Sequence, residues 1–315
     1  MMVTPQAALA KRQGSRARRT EALAGYVFIS PWLIGFLIFT LGPMIALFYY
    51  SFTKWDLIGT PQFVGLQNYI RLWNDPLFWQ ALKVTALYAL GRVPLGIIFG
   101  VAIALLLNQK IRFIGFWRVI YYLPVVMPPV AISMIWLWIY NPEYGVLNWF
   151  LWQSFGIQGP AWLQDENWVL PALIVMAVWT MLGRNMIIYL SGLQSIAREL
   201  YEAAAIDGAG AISKFFRITL PLMTPIIFFN LVMGLIDSFK IFTQAYIMTE
   251  GGPRNHSLFY VYYLYQQAFK RFNMGYASAL AWVFFFIVVT LTLIVFRTSK
   301  RWVYYENDVQ DNGGK

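Results

Sequence analysis

The fold class the sequence predicts is an all-α membrane bundle: about six transmembrane helices, both termini cytoplasmic, and a cytoplasmic loop between the fourth and fifth spans. Three observations predict it. Of 315 residues, 59% are hydrophobic and only 12% charged, whereas soluble domains sit near 45–50% and about 25%. The apolar residues fall into six runs, about 26–50, 79–107, 115–140, 168–192, 221–247 and 276–297, each near the roughly 20 residues a helix needs to cross the hydrocarbon core. They are long and do not alternate, so helices are expected rather than barrel strands. Finally, Lys and Arg are distributed unevenly. With the N-terminus inside, 15 of the 24 lie in cytoplasmic segments and 6 in outer ones, with Arg92, Arg184 and Lys240 inside spans. That bias sets the orientation.

The elements follow in order. A basic tail, 1–25, carries Lys11, Arg12, Arg16, Arg18 and Arg19. The first apolar run is too long for a signal-peptide core and no small-residue cleavage site follows it, so it reads as an uncleaved signal anchor. Asn74-Asp75-Pro76, Asn141-Pro142-Glu143 and Gly251-Gly252-Pro253 mark outer turns. Trp55, Trp73, Trp79, Trp149, Trp152, Trp162 and Trp168 crowd the same side, either as an interfacial belt or by packing on one another. Pro124, Pro128 and Pro129 remove donors from the third span, predicting a kink or broken helix beside a cavity. The region 26–298 is one membrane domain. The segment 299–315 is a cytoplasmic tail, loose from Arg301 onward. No internal repeat is evident.

Composition also excludes functions. The chain has no cysteine and one histidine, His256, so disulfides, thiolate metal sites, Cys nucleophiles and His-rich metal sites are not expected. The net charge of +10 is accounted for by topology and implies no nucleic-acid partner.

The loop at 195–220 is charged, alanine-rich and helix-forming. Ser195 is a candidate N-cap for a helix through Glu202, Ala203 and Ala204, which Asp207-Gly208 would end. A second short helix, about 211–217, would lead to Ile218, Leu220 and Pro221, the proline in a first-turn position. By itself this is compatible with a plain helical hairpin. Its complete spacing, however, is Glu202-Ala203-Ala204, three residues, Gly208, nine residues, Ile218-Thr219-Leu220-Pro221. This resembles the signature loop of binding-protein-dependent ABC importer permeases. Further likenesses to the carbohydrate-uptake branch, of the maltose F and glycerol-3-phosphate A subunit type, are Ile29-Ser30-Pro31-Trp32, Gly42-Pro43, Phe63-Val64-Gly65-Leu66-Gln67-Asn68-Tyr69, Leu123-Pro124, Gly192-Leu193-Gln194, Met248-Thr249 with Gly251-Gly252-Pro253, Tyr265-Gln266-Gln267-Ala268-Phe269 and Met274-Gly275-Tyr276.

The resemblance implies a multi-pass permease subunit in the bacterial inner membrane. It would form half of a path for a sugar or oligosaccharide, or for a sugar phosphate such as glycerol-3-phosphate. Its implied partners are a second homologous permease, an ABC ATPase dimer, an extracytoplasmic solute-binding protein and lipid. Glu202, Ala203, Ala204, Asp207, Gly208, Ile218, Leu220 and Pro221 would form the ATPase-coupling loop. The chain has no G-x-x-x-x-G-K-[ST] phosphate loop, so it is expected not to be an enzyme and to hold no cofactor, ATP being bound by the partner. A self-sufficient secondary transporter is the alternative; such proteins usually show internal repeats.

Charges at mid-membrane are costly and mark a cavity or a partner. Asn230, Asp237, Lys240 and Gln244, spaced by seven, three and four in the fifth span, lie along one helical face, and Asp237 and Lys240 are spaced to pair. The stripe either lines the path or forms an interhelical pair. Arg184 in the fourth span either snorkels, pairs, or faces the path. Arg92 is expected to have a structural partner. Tyr122 is placed either to stack on a sugar ring or to pack.

Overall fold

The computed structural model describes residues 5–109 and 111–304, with side chains from 21 onward. The side chains of the basic N-terminal residues, Lys110, and the tail from 305 lie outside the described residues.

Helix α1 (Pro5–Phe36) passes through a π-helical turn at Leu37–Leu41 into α2 (Gly42–Ser51). Pro43 has no N–H and its ring presses on the preceding turn, and the widened turn directly before it accommodates both. None of this span's most apolar window is buried. It lies along the outside of the bundle, touching α13 (Met274–Ser299) through α2, where Phe48 meets Trp282 edge-on at 4.9 Å.

An outer cap follows. Strands β1 (Thr53–Lys54) and β2 (Gln62–Phe63) pair antiparallel, Thr53 opposite Phe63. Helix α3 (Gln67–Trp73) then brings Asn68 under the chain, where its Nδ2 donates to Ser51 O and Thr53 O at 2.9 and 2.8 Å. Gly275, on α13, lies so close that an added Cβ would meet Thr53 O at 1.8 Å.

The centre is α4 (Pro76–Leu107) against α8 (Val169–Ser195). Small residues permit the approach: side chains at Gly96 and Gly100 would meet Met181, Asn185 and Tyr189 at about 3 Å. Asp75 caps α4, accepting from Leu77 N, and also receives the hydroxyls of Tyr263 and Tyr276, the latter at 2.6 Å. These tyrosines belong to the larger apolar core, with Phe259, Tyr260, Tyr262, Leu173 and Met176. Tyr263 and Tyr260 lie on α12 (Tyr260–Tyr265).

The third span is broken, as its prolines predict. Helices α5 (Ile114–Val126) and α6 (Pro129–Ile139) meet at 103°. A residue before proline is pushed out of the helical region. Met127 and Pro128 each precede a proline, and each has ψ of 139°. Five helices are therefore long and apolar enough to cross a membrane, or six spans if the bent pair counts as one. Outside, α7 (Val146–Phe155) links this span to α8.

Three expectations are corrected here. Ser195 does not cap the loop helix: it ends α8, donating to Gly192 O at 2.9 Å, and Ala197 takes the cap position of α9 (Arg198–Ile206). The second short helix is not separate. Helix α10 (Ala211–Lys214) runs through a π turn, Phe215–Thr219, into α11 (Leu220–Phe239), the proline two residues after the widened turn as in the first span. Residues 301–304 are not loose: Tyr304 N donates to Thr224 Oγ1 at 2.9 Å, and Trp302 packs on Phe228.

Candidate functional site: a polar cavity between two broken spans

The fifth span also breaks. Helix α11 stops at Phe239, Lys240 takes the cap position, and helix resumes only at 243–249. Ser238 Oγ donates to Gly234 O at 2.6 Å, and the Arg92 guanidinium reaches both groups, at 2.8 and 3.5 Å. Such competition for a helix carbonyl weakens the ladder just before the break.

The two breaks face one cavity of about 420 Å³. Its wall comprises Tyr88 and Arg92 of α4, residues 124–132 around the α5–α6 bend, Thr180, Met181 and Arg184 of α8, and Asp237 with Lys240–Gln244. Irregular backbone at membrane depth is tolerated where it lines a cavity rather than lipid. Arg184 Nη2 and Asp237 Oδ2 pair across it at 2.9 Å, the side chains 45% and 32% exposed.

Of the predicted path residues, Arg184, Asp237, Lys240 and Gln244 line this cavity. Because the helix ends between them, the single-face stripe does not exist, and Asp237 pairs with Arg184 rather than Lys240. Asn230 is buried and donates to Ile226 O at 3.1 Å, away from the cavity. Tyr122 is also outside the lining; it stands where α5 crosses Gly183. Arg92 does have its structural partner, Ser238, but it lines the cavity as well. Its charge inside a span was the signal for that second role.

At the opposite end, α9 closes on a well-formed stop. Ala209 N donates to Ala204 O at 2.8 Å and Gly208 N to Ala205 O at 3.1 Å, the crossed pair that ends helices at a left-handed residue. That residue is Gly208, with φ of +76°. Glu202, Ala203, Asp207 and Gly208 are exposed, while Ala204, Ile218, Leu220 and Pro221 are half-buried toward the bundle. Arg198 and Glu202 pair at 2.9 Å in the i,i+4 register. Tyr201, not singled out from sequence, shares a 2.8 Å hydrogen bond with Thr219 Oγ1 and so ties α9 to the base of α11. Apolar side chains nevertheless point outward: Ile206 is 88% exposed and Ile212 77%, and Leu200 and Phe216 are exposed as well.

Comparison with known proteins agrees with this architecture. Residues 93–301 match the family described as binding-protein-dependent transport system inner membrane component. The probable ABC transporter permease protein YesP of Bacillus subtilis is 46% identical over 297 residues, covering 93% of this chain and 96% of that protein. The lactose transport system permease protein LacF of Rhizobium radiobacter is 32% identical, covering 93% and 99%. A chain in the crystal structure of a bacterial alginate ABC transporter, in complex with an alginate pentasaccharide-bound periplasmic protein, superposes with a TM-score of 0.79 at 25% identity, covering 91% and 96%. With its apolar spans, broken third span and complete loop spacing, the chain belongs to this family: it is a multi-pass inner-membrane permease subunit of an ABC importer.

Proposed function

We propose that this permease forms half of the path for a sugar or oligosaccharide, with a second homologous permease supplying the other half. A separate ABC ATPase dimer docks at the Glu202–Pro221 loop, and an extracytoplasmic binding protein delivers the solute. With no G-x-x-x-x-G-K-[ST] phosphate loop in its sequence, this chain leaves ATP to the separate ATPase. The observation that carries the coupling role is the exposed apolar surface of Ile206 and Ile212, the most exposed of several apolar side chains on a loop with a well-formed helix stop. In the ATPase interface those side chains would leave water, while Arg198 and Asp207 would form its polar rim.

The substrate class rests on relatives named for lactose and for trehalose and maltose, and on a cavity whose Thr180, Thr243, Gln244 and Tyr88 offer hydroxyl and amide partners. One relative is named for sn-glycerol-3-phosphate, which keeps a sugar phosphate as the second reading. Membership of a binding-protein-dependent family leaves the self-sufficient secondary transporter without support. The test is co-purification of the ATPase with the permease pair carrying Ile206→Glu and Ile212→Glu. Both side chains are exposed, so the chain folds, and the ATPase is expected to be lost. Full retention of ATPase and of uptake would overturn the docking assignment.

A further inference from the structure

The cavity carries more positive charge than it balances. Its titratable wall consists of Tyr88, Arg92, Arg184, Asp237 and Lys240. Three are cations and one is a carboxylate. Arg184 takes the only carboxylate, at 2.9 Å. Arg92 is held by neutral partners, Ser238 Oγ and Gly234 O, and its Nε is buried without any hydrogen bond. Among the described residues Lys240 has no ion pair. Two cations therefore face the same space with no carboxylate among the described residues to balance them. A neutral sugar cannot supply that charge. An acidic one can, and the guanidinium fork of Arg92 suits an oxyanion.

From this we infer that the cavity selects saccharides bearing acidic groups, with Arg92 and Lys240 as the charge-recognising residues and the Arg184–Asp237 pair as the neutral part of the wall. The inference rests on the sugar reading above and narrows it. Its alternative is that carboxylates of the second permease face Arg92 and Lys240, in which case the cavity is neutral and charge-blind.

The test uses the complete complex, both permeases, ATPase and binding protein, in proteoliposomes. ATP-driven uptake is measured for a uronate oligosaccharide, for the same oligosaccharide with its carboxylates reduced to alcohols, and for a sugar phosphate. Each is repeated with Lys240→Gln and Lys240→Arg. Lys240 is exposed, so both variants assemble, which ATPase co-purification checks. Expected is uptake of the acidic sugar, with Lys240→Gln lowering the acidic-to-neutral uptake ratio about tenfold, the loss of one charge-assisted hydrogen bond. Lys240→Arg restores the ratio, and KM for the loaded binding protein stays unchanged. Uptake of the sugar phosphate with the same dependence on Lys240 would support anion recognition from the phosphate side. Equal carriage of acidic and reduced sugars, or an unmoved ratio in Lys240→Gln, would overturn the inference. If the complex hydrolyses ATP yet carries no saccharide at all, the sugar reading fails and takes this inference with it.

Discussion

Gly208 separates two demands on the coupling loop, backbone conformation and space, because the structure makes them independent. Its φ of +76° lies in the left-handed region, and among the described residues nothing lies within 4 Å of an added Cβ. Any penalty for side-chain size must therefore come from a docked partner. Conformational strain alone sets one order of variants. Alanine in the left-handed region costs about 1–2 kcal/mol, which reduces the population of the native turn roughly five- to thirtyfold. Asparagine enters that region more readily and costs less. Strain alone thus ranks Gly208→Asn above Gly208→Ala. Close approach of an ATPase surface reverses the order, since asparagine projects further. Our expectation is the reversed order: Gly208→Ala retains partial ATP-driven uptake, within the strain range, and Gly208→Asn retains less. The assay is uptake in proteoliposomes at matched permease insertion. Higher uptake in Gly208→Asn than in Gly208→Ala would refute the close-approach argument and leave the glycine as a local turn residue.

Other positions give equally direct outcomes. A Cβ at Gly183 would meet Tyr121 O at 2.2 Å and Tyr122 Cα at 2.7 Å, whereas at Gly91 it meets only the tip of Ile174 at 2.6 Å. Gly183→Ala should therefore lower the Tm of the detergent-solubilised complex by an amount equivalent to about 1–3 kcal/mol of overpacking, and Gly91→Ala by less. Burial pushes the Asp75 carboxyl up, but hydrogen bonds from Tyr263, Tyr276 and the Leu77 and Phe78 amides outweigh it and hold the group below its ordinary value. A depressed carboxylate contributes stability above its unfolded pKa and loses it as pH falls through the folded one. Thermal stability should stay flat from pH 7 to about 5 and fall below about 4, and Asp75→Asn should lower the plateau and remove that part of the acid dependence. Tyr201→Phe removes the hydrogen bond to Thr219 without emptying space. ATP hydrolysis per solute carried should rise while ATPase co-purification is unchanged; an unchanged ratio would show that the tie does not transmit force.

The sequence motifs were legible as a family signature before they were legible as physics, and the structure shows why several are fixed. Asn68 and Gly275 meet at the same backbone: the amide holds Ser51 and Thr53, and the glycine leaves room for Thr53. Gln267 and Tyr276 belong to the polar cluster on Asp75, Gln267 Nε2 donating to Tyr263 at 2.9 Å. Reading these residues singly could not pair them, since Asp75 and Tyr276 lie 201 positions apart and meet only when α12 packs against both α4 and α13. The stop at Asp207-Gly208 was legible because it is local: helix formers, then a residue free to take positive φ. The start of the same helix was misread at Ser195 because serine favours caps only where its side chain faces the new helix. Here its hydroxyl folds back onto the turn before it.

The two breaks that make the cavity differ in the same way. The third span announces its break, because Pro128 and Pro129 force extended backbone at 127 and 128 whatever surrounds them. Nothing between Ser238 and Thr243 is a helix breaker by composition, so the fifth span reads as continuous and its polar residues as one stripe. The break follows the turn that Arg92, far away in sequence, contacts at the Gly234 carbonyl and the Ser238 hydroxyl. The same guanidinium then adds to the cavity's charge. A residue that braces the last turn of one helix and also lines the space beyond it couples fold to selectivity: replacing it by an apolar residue would disturb the Ser238 turn and remove one of the two unpaired wall charges together. For that reason Lys240, beyond the break and free of structural partners among the described residues, is the position at which charge can be changed while the cavity keeps its shape.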